Sequence, residues 1–310
     1  MSEATGASLE STSQTTARSI PKMIGLGFSF LGLILFFTLF KLPEAKITAL
    51  IQGYVQSSLD PFGIYISDRG RSLSLITGLR YRLDHPTLEL RDQTRIELDE
   101  LEVRPKLLSL FTGRAGASAV LRQGKSEILL DLLAKRDFIE ADLDLNDVDL
   151  SRFGLFAFAG IKGSGTITGK SRVTGSPSDL ATFNGAIDLR LKNVQLDEQM
   201  IIAFKIPSIS VSEGTVNVEI KGGKVLMKNV QIGRPSDDVT LALTGDVALN
   251  RNLNSSPLNL RVLFSLSPKT LSSLSFMESL IASARQADGK YAYKLTGPLS
   301  APFPNPDPQK

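Results

Sequence analysis

The sequence predicts a mainly β protein: a curved antiparallel sheet, folded over or rolled into an elongated half-barrel, with a few short helices and one N-terminal transmembrane helix. Three observations carry this reading. Several stretches alternate apolar and polar residues with a period of two, which gives strands with one apolar face. Gly, Asn, Asp and Pro separate these stretches as turns, as at Lys221-Gly222-Gly223-Lys224. Near the start, Met23 to Phe40 runs without a charge between Lys22 and Lys41.

The elements follow in chain order. Residues 1–22 are rich in Ser, Thr and Ala, lack an apolar period and read as a disordered tail. The run 23–40 would span roughly 27 Å as a helix, close to the hydrocarbon thickness of a bilayer. It reads as an uncleaved anchor, with Met23, Leu26, Phe30, Leu33, Leu35, Phe37 and Phe40 facing lipid. Cleaved leaders have shorter apolar regions ending in small residues, whereas Lys41-Leu42-Pro43-Glu44 follows here. Arg18 and Lys22 balance Lys41 and Lys46, so flanking charge does not set the orientation. Next, Ile47, Leu50, Ile51, Tyr54 and Val55 recur at helical spacing, and Asp60-Pro61-Phe62-Gly63 ends that helix.

Strands dominate the remainder to residue 300. Leu79, Tyr81 and Leu83 alternate with Arg80, Arg82 and Asp84. Ile187, Leu189 and Leu191 alternate with Asp188, Arg190 and Lys192. Val216, Val218 and Ile220 form a third set, Val239 to Leu249 a fourth and Leu258 to Leu266 a fifth. Alternation of this kind belongs to antiparallel sheets. Short helices are predicted at Pro105–Leu110 and Ser151–Ala159. A longer one over Pro268–Arg285 carries the stripe Leu271, Leu274, Met277, Leu280, Ile281 and Ala284. The proline-rich tail, 301–310, reads as an extended end or linker. Val173-Thr174-Gly175-Ser176 is echoed at Leu295-Thr296-Gly297-Pro298 and, in part, at Leu243-Thr244-Gly245. The echo is either recurrent turn chemistry or a repeated strand-turn unit.

Helices are too few to cover so much one-sided sheet. The apolar faces must therefore meet each other, a helix or a ligand; a folded-over sheet or a closed barrel would both serve. Ile187, Leu189, Leu191, Leu241, Leu243, Leu260, Val262 and Phe264 are the expected lining of an apolar groove.

Chemical signals are few. The chain has no cysteine and one histidine, His85. Disulfides, thiolate sites and multi-histidine metal sites are thereby excluded. A formal charge of +3 over 310 residues does not suggest a nucleic-acid binder. Gly163 to Ser171 imitates a phosphate-binding loop, but its first glycine is replaced by Ser164 and Val173-Thr174-Gly175-Ser176-Pro177 cannot supply the required helix. The acids Asp142, Asp144, Asp147 and Asp149 alternate with Leu, Asn and Val rather than surrounding a glycine loop. A solvent-facing strand edge is expected there, not a calcium site. His85, before Pro86, is expected in a turn, and Asn254-Ser255-Ser256 is a formal glycosylation sequence. No catalytic, cofactor or metal residues are expected.

Ile161-Lys162-Gly163-Ser164-Gly165-Thr166 through Gly175-Ser176-Pro177 to Leu189, and Tyr291 to Gly297 through Pro302, resemble the bacterial type II secretion system protein N (GspN) family. Leu107-Leu108-Ser109-Leu110-Phe111-Thr112-Gly113 and the single anchor add to the likeness, which extends to the wider AsmA-like envelope proteins. The resemblance covers most of residues 41–302 through turn patterns. It implies a single-pass bacterial inner-membrane protein with its β-rich domain, 41–300, in the periplasm. It implies a non-enzymatic component of the secretion assembly that contacts other type II secretion subunits. The alternative is an AsmA-like protein that binds or transfers phospholipid in the apolar groove. Membrane, secretion subunits and phospholipid are the expected partners, and no nucleic acid is.

Overall fold

The computed structural model describes residues 64–307 apart from 75–78, 91–94, 155, 157–159, 202–203, 275–277 and 279–280, together with Gly53 and Gln56. The chain divides into two units, Met1–Val55 and Gln56–Lys310. The tail 1–22 and the anchor run 23–40, with Met23, Leu26, Phe30, Leu33, Leu35, Phe37 and Phe40, lie outside the described residues. So does most of the helix expected after them.

The second unit is mainly β. Its strands are β1 (Ile64–Ser67), β2 (Gly70–Ser74), β3 (Arg80–Asp84), β4 (Thr87–Leu90), β5 (Arg95–Glu97), β6 (Glu100–Pro105), β7 (Ala115–Gln123), β8 (Ser126–Lys135), β9 (Phe138–Asp149) and β10 (Gly163–Ser176). They continue with β11 (Asp179–Leu196), β12 (Gln199–Ile201), β13 (Phe204–Ile206), β14 (Ile209–Lys221), β15 (Lys224–Ile232), β16 (Val239–Ala248), β17 (Pro257–Leu266), β18 (Tyr291–Pro298) and β19 (Phe303–Pro306). Short helices interrupt them, among the described residues α1 (Leu107–Leu110) and α2 (Pro268–Ser273).

One sheet holds fourteen strands in the order β19-β18-β17-β16-β15-β14-β11-β10-β9-β8-β7-β6-β3-β2, all antiparallel. Its two end strands, β2 and β19, do not pair with each other, so the sheet is open and not a closed barrel. β1, β4 and β5 form a separate three-stranded sheet, and β12 and β13 a two-stranded ribbon.

Tight turns make this near-sequential order possible. At Lys221-Gly222-Gly223-Lys224 both glycines take positive φ, +56° and +71°, the backbone of the two-residue hairpin that matches strand twist. Lys221 and Lys224 close the ladder. His85 also has positive φ and stands exposed in the turn between β3 and β4, where its N–H donates to the Asp99 carbonyl.

The polar face is held by cross-strand ion pairs. Arg82 meets Glu100 at 3.3 Å and Arg122 meets Glu127 at 2.8 Å. Glu102, only 3% exposed, lies between Arg80, at 2.9 Å, and Arg104. Two small cores anchor the opposite face. One joins Leu98, Val148 and Phe153, with Leu88 and Ile96 of the small sheet and Leu121, Ile128, Leu145 and Ile167 of the large one packed against it. The other joins Val247, Leu258 and Leu260.

Three local expectations change. The acidic stretch Asp142–Asp149 is not an edge: β9 is paired on both sides, by β8 and β10. Its charges are matched by cations on the neighbouring strand, Asp144 by Lys170 at 2.9 Å and Asp142 by Arg172, so neutralisation across the ladder replaces edge protection. Of the helix expected over Pro268–Arg285, α2 forms the start, capped by the Ser267 hydroxyl, which accepts from the Thr270 N–H; the helix breaks at Leu274; Glu278 and Ile281 are again helical, and Met277 and Leu280 lie outside the described residues. Ala282–Ala284 is a 3₁₀ turn. Leu274, Ile281 and Ala284 of the expected stripe are buried.

The third concerns the proline-rich tail, whose Phe303–Pro306 segment joins the sheet as its end strand. The Asp307 N–H donates inward to the Ala292 carbonyl at 2.9 Å. By antiparallel alternation the N–H groups of Phe303 and Asn305 also face inward, and the outward positions belong to Pro304 and Pro306. The residues without a donor therefore occupy the places where a donor would be exposed.

Candidate functional site

Register places all eight expected groove residues on one face. Opposed residues of an antiparallel pair share a face. Ile187 and Leu189 oppose Val218 and Val216, and Leu191 opposes Gly214. Val216 and Gly214 oppose Val230 and Ile232, which oppose Leu243 and Leu241. Those two oppose Val262 and Phe264, and Gly245 opposes Leu260. The Phe264 ring stacks on Tyr291 at 5.3 Å between centroids and on Tyr293 at 6.2 Å.

The same face continues in the other direction. Leu191 and Ile187 oppose Ile167 and Ser171 of β10, which oppose Val148 and Leu143 of β9. Leu143 and Leu145 oppose Leu130 and Ile128, and the line runs on through Ala119 and Leu121, Val103 and Leu101, to Tyr81 and Leu83. At about 4.8 Å per strand the apolar band, from β3 to β18, is roughly 50 Å long, and six residues of strand make it about 20 Å wide.

Sequence reasoning missed the β7–β9 half of this band. Its signal was blurred because β8 carries leucines on both faces: Leu130 and Leu132 share the apolar face, while Leu129 and Leu133 oppose Asp144 and Glu140 on the other.

Cover is uneven. Val148 is 1% exposed beneath the small sheet, and Leu260 is buried in the second core. Ile187, Leu189, Leu191, Leu241, Leu243, Val262 and Phe264 are only half-buried. Among the described residues, the backbone neighbours of β11 are the strands of its own sheet, β10, β14 and β15. Such a face presents mainly aliphatic and aromatic side chains, with the Ser171 hydroxyl among them.

The opposite, charged face has a shallow trough of about 520 Å³ lined in part by Ser118, Asp131, Asp142, Asp144, Lys170 and Arg172. Its charges satisfy one another. The Ser118 hydroxyl donates to Asp131, and that bond, with Lys106 nearby, holds the carboxyl below its ordinary pKa against the opposing effect of burial.

Gly163–Ser171, the phosphate-loop imitation, is extended within β10. Among the described residues, no group of three or more His, Cys, Asp or Glu side chains is placed to hold a metal ion. Among them, too, no helix is long and apolar enough to cross a membrane. No known protein family, curated protein or solved structure matches the chain.

Proposed function

We propose that the protein is a non-enzymatic envelope protein of the AsmA-like kind that holds phospholipid acyl chains along its apolar sheet face. The observation that carries this reading is the mainly apolar band that runs along one face from Tyr81 to Tyr293, half-buried over β11, β16 and parts of β17. The roughly 20 Å width of the band is enough to take an acyl chain of one leaflet, about 15 Å or half of a 30 Å hydrocarbon core. Strongly twisted open sheets rarely exceed about ten strands without curling, which supports a half-barrel form that wraps such chains. The anchor at 23–40 would tether the domain to the bacterial inner membrane, with the sheet in the periplasm.

The test is mass spectrometry of the full chain extracted from membranes. Bound phospholipid is expected in the wild type and is expected to fall sharply in the Leu189→Arg/Leu243→Arg double variant. A folded wild type free of lipid sinks the reading.

A second reading is membership of a type II secretion assembly. Its support is the pair of segments that resemble protein N, both of which form the same hairpin unit around Gly175 and Gly297. Crosslinking of the membrane-embedded protein should then recover secretion subunits, and a clean deletion should block export of folded periplasmic substrates. Normal export would count against it.

A further inference from the structure

We propose that the α1 loop inserts into the surface of a bilayer containing anionic lipid. The loop joins β6 to β7, at the end of these strands opposite the small core of Leu98, Val148 and Phe153. It carries the most exposed large apolar side chains among the described residues: Leu108 is 81% exposed and Phe111 89%, with Leu107 at 43%. A soluble surface loop gains nothing from two adjacent apolar side chains held in water.

The loop is built to present them. The Ser109 hydroxyl lies 2.6 Å from the Lys106 carbonyl and 3.0 Å from the Arg114 carbonyl. The Ser109 carbonyl accepts from the Arg114 N–H, at 3.0 Å, and from the Thr112 hydroxyl, at 2.8 Å. Ser109 thus ties both ends of the loop together, with Leu108 and Phe111 left exposed.

Charge complementarity identifies the occupant. Lys106 and Arg114 bracket the loop, and Lys106 pairs with Asp131 at 3.0 Å. Ala115 opposes Ala134 in the ladder, which sets the loop beside the β8–β9 hairpin tip. That tip carries Lys135, Arg136, Asp137 and the half-exposed Phe138. The two tips together offer Leu108, Phe111 and Phe138, flanked by Arg114, Lys135, Arg136 and Lys106, the last paired with Asp131, and by the carboxylate of Asp137. Leucine and phenylalanine with basic residues around them are the composition of a segment that sits at the level of lipid headgroups. This inference stands on the loop alone and does not depend on the acyl-chain reading of the sheet face.

Because the chain has no cysteine, Leu108→Cys accepts a single environment-sensitive dye, and Lys125→Cys, exposed at the opposite end of the same strands, provides the reference. The full chain is reconstituted into vesicles of phosphatidylethanolamine and phosphatidylglycerol. Spin-labelled lipid is placed either in the host vesicles or in a second population added afterwards. A severalfold greater quenching at residue 108 than at residue 125, in either arrangement, is expected. Equal quenching at the two sites, or protection at residue 108 that appears only when another protein is added, overturns the proposal.

Discussion

Phe183 lies across the backbone of Gly175: a Cβ on that glycine would stand 2.8 Å from the Phe183 Cα and from Cγ and Cδ2 of its ring. Phe303 stands in the same relation to Gly297, where a Cβ would meet ring atom Cδ2 at 2.5 Å. The Thr-Gly echo of the sequence is therefore a repeated unit in two of its three places, a strand-end glycine covered by a phenylalanine from the returning strand. The third glycine, Gly245, lies within β16 with the Asn259 carbonyl and Leu260 of β17 against it.

Gly175→Ala is expected to destabilise the second unit by about 1–3 kcal/mol, the usual cost of forcing a methyl into a filled space. Adding Phe183→Ala should recover part of that loss, because the ring that collides is removed. Urea unfolding of both variants checks this; an additive loss would show that the contact is not the cause.

Glu102 should give the fold an acid-sensitive element. Burial alone would raise the pKa of its carboxyl, but the hydrogen bond from Arg104 and the charges of Arg104, Arg80 and Arg122 outweigh it and hold the group below the ordinary carboxylate range. A depressed folded value means the stabilisation is complete above the unfolded value of about 4.3 and disappears as pH falls through the folded value. Glu102→Gln should cost about 1–3 kcal/mol at neutral pH and flatten the loss of stability below about pH 4. Unfolding curves across that range, unchanged in slope by the substitution, would contradict it.

Pro304 and Pro306 should keep the sheet from growing. Replacing both with threonine restores outward N–H donors along β19 without disturbing the inward ones. Concentration-dependent association is expected in sedimentation, with the wild type unchanged over the same range. Equal behaviour of the two proteins would mean that the prolines do not guard this end.

Leu189→Arg separates an open face from a sealed core. On a half-open face the long side chain can reach water, so the stability change should stay below about 1.5 kcal/mol, whereas an unpaired charge in a sealed core costs several. The denaturation midpoint, read beside the lipid content of the same preparation, distinguishes the two.

The sequence by itself determined the class of fold and which side of each clean strand is apolar. Period-two alternation is a local property of the backbone, so Ile187–Leu191 and Leu258–Phe264 declared their faces without help. The glycine turn at Lys221–Lys224 was legible for the same reason. Only the tertiary structure decided that these faces line up across fourteen strands, because register between strands depends on pairings far apart in the chain. It also decided that Asp142 and Asp144 sit in the middle of the sheet opposite Arg172 and Lys170. The proline tail is the clearest case of both. Proline at every second position is visible in the sequence, but its value at the end of the sheet appears only once Asp307 fixes which backbone groups point inward.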